Sequence, residues 1–129
     1  MRLLIDTQVL LWAIYRPESL SAPLQERLAD RHNEVFFSAV SIAEIALKTS
    51  LGRADFSFDP QEIMQAAQDS DFVELPLTAR QTLHLARLPW HHRDPFDRLL
   101  VAQALEEGLR LITADRLLAV YSELVEVHR

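Results

Sequence analysis

The sequence predicts an α/β fold, a three-layer α/β/α sandwich around a central parallel sheet. Two observations predict it. Five short apolar runs of strand length, at 2–5, 34–37, 72–75, 110–113 and around 125–127, are separated by stretches with helical periodicity. Strands that alternate with helices are joined by crossovers, so they lie parallel and need helices over both faces. The length is 129 residues, 49% of them apolar, which suits one domain with one core. No repeat, linker or low-complexity tract divides residues 1–129.

Each element has a local reason. The first strand, Arg2 to Ile5, stops at Asp6, after which Val9, Leu10, Trp12, Ala13 and Ile14 recur at helical spacing until Pro17. Ser21 and Pro23 open a second helix that carries Leu24 and Leu28 and ends near Asp30, before the strand Glu34 to Phe37. Ser38 or Ser41 caps the next helix, which runs through Ile42, Ile45, Ala46 and Leu47 to Gly52. Asp59–Pro60 is an N-cap with proline at the first helical position, leading into Ile63, Met64, Ala66 and Ala67. After the strand Phe72 to Leu75, Thr78 and Gln81 form a capping box that opens a helix expected to reach about Leu88. Leu88 to Arg93 is a loop with Pro89 and paired histidines. Asp94–Pro95 then repeats the cap-plus-proline start, for a helix through Leu99, Leu100, Ala102 and Ala104 that Gly108 closes. The strand Arg110 to Thr113 precedes Asp115, a short helix from Arg116 and a last strand.

Composition removes several classes of function. There is no cysteine, which excludes disulfides, thiolate metal sites and a cysteine nucleophile, and fits a cytoplasmic location. The apolar run Val9 to Ile14 is far shorter than a membrane span, so no membrane partner is expected. The formal charge is −6, the wrong sign for gripping a polyanion by broad phosphate neutralisation. Only two glycines are present, Gly52 and Gly108, too few for any Gly-rich phosphate cradle.

Four acids stand out by position. Asp6 ends the first strand, Glu44 and Asp97 lie in the first turns of helices, and Asp115 follows the late strand. In an open parallel sheet the site lies beyond the carboxyl ends of the strands, where Asp6 and Asp115 fall. Converging carboxylates repel one another, and a hard divalent cation that prefers oxygen ligands is the natural compensation. Local explanations stand beside each. Ser41 and Glu44 have capping-box spacing; Asp94 is a good N-cap; Asp97 at the third helical position favours the macrodipole; Asp115 can cap the helix at Arg116.

Three stretches together cover nearly the whole chain. They are Leu3-Leu4-Ile5-Asp6-Thr7 followed by Val9-Leu10-Leu11-Trp12; Ser38-Ala39-Val40-Ser41-Ile42-Ala43-Glu44-Ile45 with Lys48; and His92-Arg93-Asp94-Pro95-Phe96-Asp97-Arg98-Leu99-Leu100-Val101-Ala102-Gln103-Ala104 followed by Leu111-Ile112-Thr113-Ala114-Asp115. In this order they resemble the PIN-domain superfamily and its VapC-type toxins. The resemblance implies an endoribonuclease that uses Mg2+ (or Mn2+), leaves a 5′-phosphate and a 3′-hydroxyl, forms a homodimer and is restrained by a cognate antitoxin protein. It carries Asp6, Glu44, Asp97 and Asp115 over as the catalytic, metal-binding acids, with Asp94 the lesser member of its pair. Two positions depart from the pattern: Gln8 stands where the toxins often have His, and Ala43 where they often have an aromatic residue.

Other residues invite a role with RNA. Thr7 and Thr113 adjoin the acids, where hydroxyls can orient a carboxylate or a water, although a local turn bond explains them equally well. Arg87, His91, His92, Arg93 and Arg98 gather positive charge beside Asp97 as a phosphate-contacting patch or a solvated basic face. His91 and His92 lack the spacing of a helical zinc motif. Stacking on a base is open to Trp12 and Trp90; Trp12 lies in an apolar helix and reads as core, whereas for Trp90, between Pro89 and His91, the choice stays open. Leu24, Leu28 and the stretch Phe56 to Met64 read as core or as a partner groove. Two other magnesium chemistries, a phosphatase with Asp6 as nucleophile and a receiver-type signalling module, fit less well. The first wants an acid at position 8, which is Gln; the second wants paired acids near the end of the first strand; and both leave Glu44 and Asp97 idle.

Overall fold

The computed structural model describes residues 1–53 and 56–128. Five strands, β1 (Arg2–Ile5), β2 (Glu34–Ser38), β3 (Val73–Leu75), β4 (Arg110–Thr113) and β5 (Val125–Val127), form one sheet in which every neighbouring pair is parallel. Their order is β3-β2-β1-β4-β5. The chain therefore steps outward from β1 through β2 to β3, then returns to the other side of β1 for β4 and β5. That reversal opens a crevice beyond the carboxyl ends of β1 and β4, the place where sheets of this kind bind ligands.

The helices cover both faces, as the alternation of strands and helices predicted. Side chains alternate along each strand, so Leu3, Ile5, Val35, Phe37 and Ile112 enter one apolar cluster, while Leu4, Phe36 and Leu111 enter the other. The first cluster is completed by α1 (Thr7–Tyr15), α2 (Ala22–Ala29) and α4 (Pro60–Asp69), through Val9, Leu10, Leu24 and Ile63. The second is completed by α6 (Pro95–Glu107), through Leu100, Val101 and Ala104. Trp12 packs against the first cluster as core, and α3 (Ala39–Ser50) serves both, with Ile45 on one side and Val40 on the other. Among the described residues no helix is long and apolar enough to cross a membrane.

Two local expectations are corrected. The helix opened by the Thr78–Gln81 capping box stays α-helical only over α5 (Ala79–Thr82) and tightens into a 3-10 turn at Leu83–Ala86, rather than reaching Leu88. The carbonyls of Leu85 and Leu88 bond the Arg98 guanidinium, and Pro89 disfavours helical backbone at the residue before it. The cap of α3 is Ser38, whose Oγ accepts from Val40 N at 2.9 Å. Ser41 lies inside the helix, so the capping-box explanation for Glu44 fails.

Ser38 also donates to Gln103 Oε1 on α6, at full burial, so it ties the helix carrying Glu44 to the helix carrying Asp97. Ser38→Ala removes both bonds and leaves a buried acceptor on Gln103 with one partner fewer. We expect it to lower stability by about 2 kcal/mol in urea denaturation; an unchanged midpoint would show that the cap is dispensable.

Candidate active site

The turn from β1 into α1 places Asp6. It is the N-cap of α1, with Oδ1 accepting from Val9 N at 2.8 Å. Across the sheet, its Oδ2 accepts from Thr113 Oγ1 at 2.6 Å and from Ala114 N at 3.2 Å. Burial raises the Asp6 carboxyl above its ordinary range; these hydrogen bonds pull it down, and the nearby Glu44 charge adds to the rise.

Glu44 comes from the second turn of α3 and is buried with both oxygens engaged. Thr7 Oγ1 lies 2.7 Å from Oε1 and 2.9 Å from Ser41 Oγ. A hydroxyl has one proton; Thr7 gives it to the carboxylate and accepts from Ser41. Lys48, one helical turn on, donates to Oε2 at 2.6 Å.

At the start of α6, Asp94 is the N-cap, accepting from Phe96 N at 2.9 Å and Asp97 N at 3.3 Å. That bond occupies Asp94 with the helix and leaves Asp97 to face the crevice. The Asp97 carboxyl is pushed up to about 7, chiefly by burial, then by the charges of Asp94 and Asp6, with His92 opposing. Asp115 caps the 3-10 turn Arg116–Tyr121 through Leu117 N at 2.9 Å, and His92 Nε2 donates to its other oxygen at 2.8 Å.

Asp6, Glu44, Asp97 and Asp115 line one cleft of about 540 Å³. Its donor atoms are hard carboxylate oxygens, and burial, with the neighbouring acids adding to it, raises the Asp6 and Asp97 carboxyls. Such a set fits Mg2+ or Mn2+. His92, Asp97 and Asp115 each bring one ligand-type atom to within 4.8 Å of the others.

The same elements answer a family pattern. The PIN domain model matches residues 3–124. This chain belongs to the PIN-domain family. Among solved structures, VapBC2 from Rickettsia felis bound to a DNA fragment from its promoter aligns over 100% of both chains, with a TM-score of 0.74 and 18% identity. A domain of a functionally unknown protein from Methanocaldococcus jannaschii follows, with a TM-score of 0.63 and 14% identity over 99% of this chain and 91% of that one. VapBC-1 from nontypeable Haemophilus influenzae aligns at a TM-score of 0.59 and 17% identity over 89% and 87% of the two chains. At such identities the likeness is one of fold. No curated protein matches the chain in sequence.

Within this PIN fold the basic residues separate. Arg98 is the clear correction: it is only 3% exposed, and its guanidinium donates to the carbonyls of Pro89 at 2.8 Å and of Leu85 and Leu88 at 3.3 Å, so it braces a loop and cannot reach a phosphate. Trp90 stacks over that guanidinium at 3.9 Å, with its other face open to solvent. The His91 ring packs edge-on against Tyr121, and Arg87 lines a separate hollow with Arg80 and Glu106. Arg93 is exposed, while His92 alone of the five touches the acids. The cations that do line the cleft are Lys48 and Arg116, and Gln8 lines it too. Lys48 was legible as the i+4 partner of Glu44, and Arg116 as the neighbour of Asp115.

Asp97 holds its proton more tightly in the fold, at about 7, than at its ordinary value of 3.8. Between those values the native state binds more protons than the unfolded chain, so this group's contribution to stability is greatest in acid and is lost as pH rises to about 7. In chelator, Asp97→Asn should be more stable than the native protein at pH 8 by roughly 1–3 kcal/mol, with the gap closing toward pH 5. Denaturant titrations at the two pH values measure it, and no gap at pH 8 would contradict the burial of this charge.

Proposed function

We propose that this PIN-domain protein is a Mg2+- or Mn2+-dependent endoribonuclease and the toxin of a VapBC-type pair. The observation that carries the reading is the convergence of four carboxylates, from four separate elements, on one cleft at the sheet's reversal point. A divalent ion held by Asp6, Glu44, Asp97 and Asp115 would acidify a water and offset charge on the attacked phosphate.

The chain's own groups do the rest. Val9 N, Ala114 N and Thr113 hold the Asp6 carboxylate in one orientation, and Thr7 and Lys48 do the same for Glu44. Preorganised ligands of this kind need no rearrangement when substrate arrives. Lys48 and Arg116 place positive charge at the cleft, a local answer to the approach of RNA phosphate toward a chain of net charge −6.

The VapBC2 and VapBC-1 likenesses support a protein partner, an antitoxin, in addition to RNA. A partner arginine seated among the carboxylates would form charge-assisted bonds and close the cleft. By the family resemblance, the products carry a 5′-phosphate and a 3′-hydroxyl, and the protein assembles as a homodimer in the cytoplasm.

The test is cleavage of a fluorogenic RNA panel with Mg2+, Mn2+ or chelator, beside an Asp97→Asn variant purified identically. Cleavage should require the metal and fall at least about 100-fold in the variant. Equal cleavage by both proteins would remove Asp97 from the site and point to a contaminating nuclease.

A further inference from the structure

The proximity of His92 to Asp97 and Asp115 makes it resemble a third metal ligand. Its hydrogen bonds assign it another part. Asp94 N–H donates to His92 Nδ1 at 3.0 Å, which occupies the Nδ1 lone pair. An imidazole that accepts at Nδ1 carries its proton on Nε2. That nitrogen faces Asp115 Oδ2 at 2.8 Å and Asp97 Oδ2 at 3.5 Å, so it presents an N–H and no lone pair to the cleft.

The loop holds this arrangement rigidly. His92 N donates to Tyr121 Oη at 2.8 Å, Tyr121 Oη donates back to His92 O at 3.4 Å, and Arg98 donates to Tyr121 Oη at 3.3 Å. Tyr121 Oη thus uses its one proton and both acceptor sites, on the His92 backbone and the Arg98 guanidinium. The Arg98 bonds to the carbonyls of Leu88 and Pro89 on the loop and of Leu85 in the 3-10 turn before it, together with the Trp90 stack, fix the backbone on the other side. Asp94 joins the loop to the acids twice. Its backbone N–H sets the His92 tautomer, and its side chain caps the helix that carries Asp97.

We infer that His92 is a positioning residue for Asp115: an imidazole locked as an Nε2–H donor that aims the Asp115 carboxylate into the cleft without itself binding the ion. The inference rests on the metal-centre reading above. Outer-shell donors of this kind are worth about 10- to 100-fold in metal affinity. Arg98 and Tyr121 act one step further out, by holding the loop.

Mn2+ affinity, measured by calorimetry and by electron paramagnetic resonance on the native protein and three variants, separates the possibilities. Glutamine at position 92 can set an amide N–H where Nε2–H stands. Asparagine can replace only the Nδ1 acceptor, and alanine replaces neither. The expected order is native and His92→Gln within about threefold of each other, with His92→Asn and His92→Ala weaker by about 10- to 100-fold, all four melting cooperatively. The Mn2+ spectrum of the native protein should show no directly coordinated nitrogen. A directly bound nitrogen that disappears in His92→Ala would make His92 a ligand and overturn the inference. Native-like affinity in His92→Asn or His92→Ala would overturn it too, while leaving the metal centre standing. A native protein that binds no Mn2+ would overturn the metal centre itself, and His92's role with it.

Discussion

The parallel pairing of β1 with β4 is the constraint on which the site depends. These strands are distant in sequence, and they become neighbours only because the chain reverses its direction across the sheet after β3. The register Leu3 to Arg110, Leu4 to Leu111 and Ile5 to Ile112 brings Thr113 beside Asp6, and the 2.6 Å bond between them joins the two strand ends. A slip of one residue would exchange the two faces of the strand and move Leu111 and Ile112 into the wrong clusters. Burial of both faces therefore specifies the register, and the register specifies the position of the first acid.

Four acids in one cleft oppose folding in the absence of a cation. Each would shed its burden by moving apart, and each is prevented by a separate local anchor: the α1 cap for Asp6, Thr7 and Lys48 for Glu44, the α6 N-terminus for Asp97, and the Leu117 and His92 bonds for Asp115. The anchors are mostly short-range hydrogen bonds from backbone N–H groups and hydroxyls, which stabilise a carboxylate without adding a formal charge. The cost is visible at Asp97, whose carboxyl is pushed up to about 7, first by burial and then by the charges of Asp94 and Asp6. Stability given up at the site is recovered in the two apolar clusters, where Leu3, Leu4, Ile5, Leu111 and Ile112 are fully buried.

The loop between the short 3-10 turn and α6 shows how a charged side chain can serve a site from within. A buried arginine without a carboxylate partner is costly unless its donors are satisfied. Here carbonyls from Leu85, Leu88 and Pro89, the Tyr121 hydroxyl and the face of Trp90 surround it. Among the described residues, no buried side-chain nitrogen or oxygen lacks a partner. The consequence is a loop whose backbone is set from inside, and from which the His92 ring reaches Asp115.

The order of strands and helices, the two cap-plus-proline helix starts, the left-handed Gly108 and the apolar runs of β1, β2 and β4 were all legible in the sequence, because each follows from local backbone chemistry or from the spacing of apolar residues. The four acids were legible as well, as positions at strand ends and helix starts within a resemblance that spans the chain. What only the tertiary structure decided is which neighbour each polar group meets. Arg98 looked like a phosphate contact because it follows Asp97, yet the helical advance of about 100° per residue turns it to the opposite side, into the loop carbonyls. His92 looked equivalent to His91, but only one of them reaches Asp115. Local chemistry sets where an element begins and which face is apolar; a partner far away in the chain exists only once the sheet has closed.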